Sequence, residues 1–512
     1  MTGDLARLVL LIPILTIVAL LFLKGRAEIA KALSLVSGIA SLVVVTFLGF
    51  QIEPACITVA HRSWIPAFGV QFHLGLDPVG FAMLWITAFS TLLGVAASIR
   101  EMNPKSQGAT RVVFHFILLF VIQGALYGVF MARDLVLFFI AYEIVLIPMY
   151  LLILLWGGKK RVYASFKFLL FTMFGSLPML MAIAYIGYFT AYKTGMPVFD
   201  MDQVRAMGLE SWTAEILLKF PFFEHVAVKV SSMLFAGFAL AFLVKIPLWP
   251  LHTWLPDAHT EAPTAGSIVL AGVLLKMGAY GLAAVAIPLF PATAMKARPI
   301  LEVFALCGII LGALASLAQT DAKRLVAYSS VSHMGFVVLG LFSFTTEGWL
   351  GAVMQMMAHG VSTGALFYFV GALYRRRHDR ELASFGGLST LAPAMAGWSA
   401  IAVFSSTALP GTAGFAAELM ILFGVFSGKP VLAALAGTAV ILSAAYMLKF
   451  FKQIAFGEPT REFRDSWDGM KTDEILALAA CGLILIVVGV APWHTVYRWL
   501  DPGVAILLQA LR

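Results

Sequence analysis

Between Phe242 and Pro263 the chain reads FLVKIPLWPLHTWLPDAHTEAP. A lysine, Lys245, closes an apolar run, and prolines follow at 247, 250, 256 and 263. Each proline lacks the backbone donor a helix needs, and its ring clashes with the preceding turn. No continuous helix can pass through this stretch. In lipid, freed backbone groups must find partners in protein or in water. A broken helix carrying a charge at membrane depth therefore predicts a polar, hydrated interior, the setting of ion and proton paths.

That argument needs a membrane, and composition supplies it. Of 512 residues, 61% are hydrophobic and 12% charged, with mean hydropathy +0.93. Soluble proteins are about 25% charged. The apolar runs are long enough for helices rather than barrel strands. The net charge of +8 sits in short basic clusters between apolar runs, a topology signal rather than a nucleic-acid surface. The first apolar segment has no clear cleavage site and reads as a retained span.

Cys56, Cys307 and Cys481 lie far apart. No CxxC or Cys/His cluster points to zinc or iron–sulfur binding, and no GxGxxG or GxxxxGK[ST] to a nucleotide. No cofactor is expected in this chain. No nucleophile elbow suggests a hydrolase.

The predicted fold class is an all-α membrane protein with about fourteen transmembrane helices. They are drawn near 5–23, 30–50, 77–99, 112–130, 135–156, 163–192, 225–252, 265–290, 300–318, 325–344, 348–374, 393–426, 431–456 and 473–493. The seventh is broken at Pro247 and Pro250, the twelfth at Pro410 in LPGTAGF. The polar connections at 50–76 and 193–224 are too short for separate domains.

One set of alternating loops is basic, with Lys24, Arg26 and Lys31, then Arg100, Lys105 and Arg111, then Lys159 to Arg161. It continues through Lys323 and Arg324, Arg375 to Arg377, Arg380, Lys452, Arg461, Arg464 and Lys471. The other set, which includes Lys219, Lys429 and Arg512, is poorer, although Lys296 and Arg298 fall there against the rule. The rich side is expected to be cytoplasmic, with both termini on the far side.

The two breaks hold the fourth position in two runs of five spans, and an odd number of spans inverts the second run. Matching interrupted helices in two halves point to inverted repeats. The expected division is residues 1–110 for helices 1–3, 111–290 for a first repeat, 300–456 for a second and 457–512 for the last helix.

Few ionisable groups fall deep in the spans. Glu143 lies nine residues after Asp134, about 13 Å along a helix. Lys276 lies at similar depth, as do His333 and His359, and Glu418 follows the Pro410 break. Each charge costs about 2.5–3.5 kcal/mol to insert. Glu143 and Lys245 form either a static pair that locks helices together or a pair that holds and releases a proton. Lys276 is too deep to snorkel. For the two histidines, packing and proton relay both stay open. His252, His259, Asp257 and Glu261 hint at a metal site, but the prolines disrupt ligand spacing, and helix-end contacts explain them more simply.

At these residues the sequence resembles a known family. DLVLFFIAYEIVLIPMYLL, KIPLWPLHTWLPDAHTEAPTAGSIVLAGVLLKMGAYG, AKRLVAYSSVSHMGF and LPGTAGFAAE are similar to the antiporter-like subunits of respiratory complex I. The resemblance runs from about Asp77 to Phe456, and the wider family includes Mrp-type antiporter and membrane-bound hydrogenase subunits. A glutamate at 418, where the sister subunits L and N usually carry lysine, marks the subtype within NADH–quinone oxidoreductase. The resemblance implies proton translocation through half-channels and a central hydrophilic axis, driven by redox chemistry elsewhere. It assigns Glu143 and Lys245 as the pair, Lys276 as the central lysine, His333 and His359 as connectors, and Glu418 as the terminal group.

It further implies FMN, iron–sulfur clusters and quinone in partner subunits. The implied partners are antiporter-like subunits L and N together with membrane lipids, in a bacterial inner membrane. The alternatives are an Mrp-type sodium/proton antiporter subunit and a scaffold that transports nothing.

Overall fold

The computed structural model describes residues 2–52, 56–220 and 223–509. Arg512 and the side chain of Lys219, both counted above as basic-poor-side cations, lie outside what is described. Among the described residues, twelve helices are long and apolar enough to cross a membrane. Each falls on a stretch drawn from the sequence. The two proline-broken positions hold shorter pieces.

At the first break, Val230–Lys245 ends and Trp254–Glu261 begins after a turn. A helix that stops inside a membrane orphans its last carbonyls. Here the Trp254 indole donates to Val244 O at 2.9 Å, and the Tyr142 hydroxyl to Ala241 O at 3.1 Å. At the second break, Pro393–Ser406 gives way to Ala413–Phe426. The backbone passes through the left-handed region at Ala408 (φ 54°) and Gly411 (φ 88°).

Lipid tails give helices little hydrophobic drive to associate, so close backbone approach through small residues matters. A Cβ on Gly278 would stand 2.4 Å from Phe242 O, in the first broken helix. A Cβ on Gly351 would stand 2.6 Å from Ile421 N, in the second. These contacts set Lys276 and Gln355, on the same helices as the two glycines, close to the broken segments. The three most enclosed membrane helices are Thr346–Arg377, Thr264–Leu289 and Ala322–Leu341. They carry His359, Lys276 and His333.

Four features depart from the reading above. The connection at 50–76 contains a hairpin, Ile57–Ile65 against Val70–Leu76. Another pairs Leu217–Phe220 with Phe223–Lys229, so the seventh span starts at Val230 rather than 225. The fifth span is interrupted at Val145, where Pro148 cannot donate to the carbonyl four residues back. A further helix, Arg498–Gln509, follows the last span.

Of the two cations that broke the charge rule, Arg298 has a local partner. Arg298 Nε bonds Glu302 at 2.7 Å, and Lys429 meets the other oxygen of the same buried carboxylate. Lys323, counted above as a loop charge, is instead buried and donates to Ala262 O at 2.8 Å.

Candidate proton path

Lys276 is fully buried on a helix with π-helical turns at Leu270–Leu274 and Leu282–Ala286. Such turns recur at functional sites because they displace side chains and loosen carbonyls. Its Nζ donates to Ala271 O and stands 2.7 Å from His359 Nδ1. The His359 and His333 rings are 5.6 Å apart, centroid to centroid. His333 Nδ1 then meets Glu418 Oε1 at 2.9 Å. Four of the six residues singled out from the sequence thus form one line of side chains.

Gln355, which sequence reasoning missed, donates to Glu418 Oε1 at 3.1 Å and lies 3.3 Å from His333 Nδ1. It sits four residues before His359, and that helical spacing was the available signal. An ionised carboxylate only accepts, so His333 carries its proton on Nδ1 when Glu418 is charged. His333 Nε2, His359 Nε2 and Gln355 Oε1 are buried without a protein partner. Buried polar atoms are nearly always satisfied, and water is the usual remaining partner.

The other two residues behave differently. Lys245 Nζ is buried, has no hydrogen-bond partner and lies 5.1 Å from the Tyr142 ring centre and 5.8 Å from that of Phe168. Aromatic faces attract a cation without accepting its proton. Glu143 is half-buried, with Oε1 unpartnered. Ser176 and Lys245 are the polar groups that act on its carboxylate. The glutamate and lysine lie within Coulombic reach of each other but make no N···O contact of 4.0 Å or less. They are neighbours rather than a closed salt bridge. No hydrogen bond joins Lys245 to Lys276 among the described residues.

His259, weighed above only as a metal ligand, is buried within Coulombic reach of Lys276. His259 has both ring nitrogens unpartnered, stacks on Phe367 at 4.6 Å and feels the charges of Lys323 and Lys276. The hinted metal set does not assemble. Asp257 bonds Lys167 at 2.6 Å, Glu261 accepts from Lys160 N at 2.8 Å, and His252 faces Tyr328.

The family model described as NADH:quinone oxidoreductase/Mrp antiporter, TM matches residues 132–443. NADH-quinone oxidoreductase subunit M of Rhodobacter capsulatus is 39% identical over 477 residues, covering 91% of this chain and 89% of the relative. The subunit M of Escherichia coli K12 is 37% identical over 435 residues, covering 84% and 81%. A chain of respiratory complex I from Thermus thermophilus superposes with TM-score 0.83 at 31% identity, over 98% of this chain and 100% of that one. A chain of the Mrp complex from Dietzia sp. reaches 0.83 at 19% identity, over 100% and 99%, a likeness of fold. The chain belongs to the NADH:quinone oxidoreductase/Mrp antiporter membrane-subunit family.

Proposed function

We propose that this chain is a proton-translocating membrane subunit of an NADH–quinone oxidoreductase, and that Glu143, Lys245, Lys276, His359, His333 and Glu418 carry the proton. The reading rests on one observation above all: Lys276, His359, His333 and Glu418 follow one another in a line, the first three on the most enclosed helices and Glu418 on the second broken one.

Each imidazole can accept a proton on one ring nitrogen and release it from the other. Nδ1 of His359 faces Lys276 and Nδ1 of His333 faces Glu418, which leaves both Nε2 atoms for the link between the rings. That link needs a bridging water. Gln355 steadies Glu418 through its amide and takes no proton itself. On the input side, Lys245 has no acceptor holding it and Glu143 has a free oxygen, so the two can approach or part. Two unit charges 4 Å apart interact by about 4 kcal/mol at an effective dielectric near 20. A change of that size moves a proton equilibrium about a thousandfold.

Glu143 lies on a flank where Ile144 and Ile147 are exposed. A glutamate at that depth calls for a protein neighbour rather than lipid, and an antiporter-like subunit such as L or N would cover it. The redox cofactors, FMN, iron–sulfur clusters and quinone, belong to other subunits. The remaining parts of this reading are the inverted repeats at 111–290 and 300–456, the terminal segments 1–110 and 457–512, a bacterial inner membrane and periplasmic termini. They rest on the matched helix breaks and the basic-loop bias.

Lys245→Ala and Glu143→Ala are each expected to lower proton translocation coupled to quinone reduction by roughly tenfold or more, given the typical worth of a positioned proton-transfer group. NADH oxidation by an artificial acceptor should stay at the parent rate. Unchanged translocation in both variants would remove the input side of the path. Flavin and iron–sulfur subunits should co-purify with the chain. A preparation lacking them, with sodium/proton exchange, would favour the Mrp alternative.

A further inference from the structure

Away from the proposed proton path, His61 and His73 face each other across the hairpin Ile57–Ile65/Val70–Leu76. Their rings stack at 4.3 Å. Asp200, 127 residues on from His73, places Oδ2 2.6 Å from His73 Nδ1. Its Oδ1 caps the helix Met201–Ala206 by accepting from Gln203 N at 2.9 Å. One ligand-type atom from each of His61, His73 and Asp200 lies within 4.8 Å of the others, the one such group among the described residues. Tetrahedral bonds of about 2.0–2.1 Å put ligand atoms about 3.3 Å apart. The cluster is therefore about 1.5 Å from a bound geometry, and His61 is the exposed, freely adjustable member.

We infer that His61, His73 and Asp200 form a binding site for a divalent transition-metal ion of the zinc class. Two imidazoles and a carboxylate suit such an ion, and an incomplete set leaves a position for water. The ion replaces the hydrogen bond between His73 Nδ1 and Asp200 Oδ2, with neutral His73 carrying its one ring proton on Nε2 and offering the Nδ1 lone pair to the metal. His61 gives up its contact with Gln71 Oε1, now 2.5 Å. The site joins segments that already converge on one point. Arg133 N donates to His73 O, Met201 N to Arg133 O and Leu135 N to Phe199 O, each within 2.9 Å. Asp134, the N-cap of the helix that carries Glu143, accepts from Gln71 N at 3.0 Å. A metal here staples the hairpin and the loop around Asp200 to the start of that helix. The inference does not depend on the proposed proton path.

The test uses the intact purified complex, stripped with a chelator and titrated with zinc alone against a chromophoric competitor. The parent should hold one more zinc per complex than His61→Ala and than His73→Gln, or bind that zinc at least tenfold more tightly. His61→Gln, closer in shape, should lose the same zinc and serves if the alanine variant assembles poorly. Equal zinc stoichiometry and affinity in the parent and the His61 variants would overturn the site and leave the His73–Asp200 contact as a structural hydrogen bond.

Discussion

Lys276→Met is expected to reduce proton translocation about a hundredfold, the low end of what a positioned acid–base group contributes, while the complex still assembles. Methionine is close to lysine in volume, so the enclosed site stays filled and cavity costs stay small. What is lost is the one group that, among the described residues, donates to His359 Nδ1. Lys276→Arg sharpens the test. Arginine keeps the positive charge but does not give up its proton in proteins. If the lysine works by cycling its proton, arginine should be as inactive as methionine. If a fixed charge suffices, arginine should restore translocation. Proton uptake by reconstituted vesicles, measured beside NADH oxidation with an artificial acceptor, separates these outcomes from a general loss of enzyme.

Glu418 should show a different split. Glu418→Gln keeps the shape and a carbonyl for His333 Nδ1 and Gln355 Nε2, whose present contacts are 2.9 and 3.1 Å. Translocation should fall about a hundredfold with the thermal stability of the complex nearly unchanged. Glu418→Ala removes the acceptor as well and leaves two buried polar groups unsatisfied. It should cost a further 1–3 kcal/mol or so of stability, visible as a lower melting temperature. Equal melting temperatures for the two variants would mean that the His333–Gln355–Glu418 cluster contributes little to packing. Normal translocation in Glu418→Gln would show that the path does not end there.

Much of this was legible before any coordinates. Proline chemistry forced both helix breaks, and apolar length alone located the twelve long helices. The rarity of charge in lipid singled out Lys276 and Glu418, and the structure joins them through His359 and His333. The local readings that failed did so for physical reasons. The hairpin at Ile57–Ile65 lay in a stretch judged by polarity, although ITVAHRSWI is rich in β-branched and aromatic residues. Lys323 was counted by chain position as a loop charge, but its ammonium reaches inward to Ala262 O. Gln355 carries no charge and so escaped a search for ionisable groups. Glu143 and Lys245 have the complementary signs expected of a pair, yet nothing in a sequence reports that Tyr142 and Phe168 hold the lysine between them.

The account rests on water linking the two ends of the path, since among the described residues no side chain bridges Lys245 to Lys276 or the two histidine Nε2 atoms. A high-resolution density map of the assembled complex tests this most directly. Ordered water should lie between Lys245 and Lys276 and between the His359 and His333 rings, within hydrogen-bonding distance of each. Close-packed apolar side chains filling both gaps, with no water density, would contradict it.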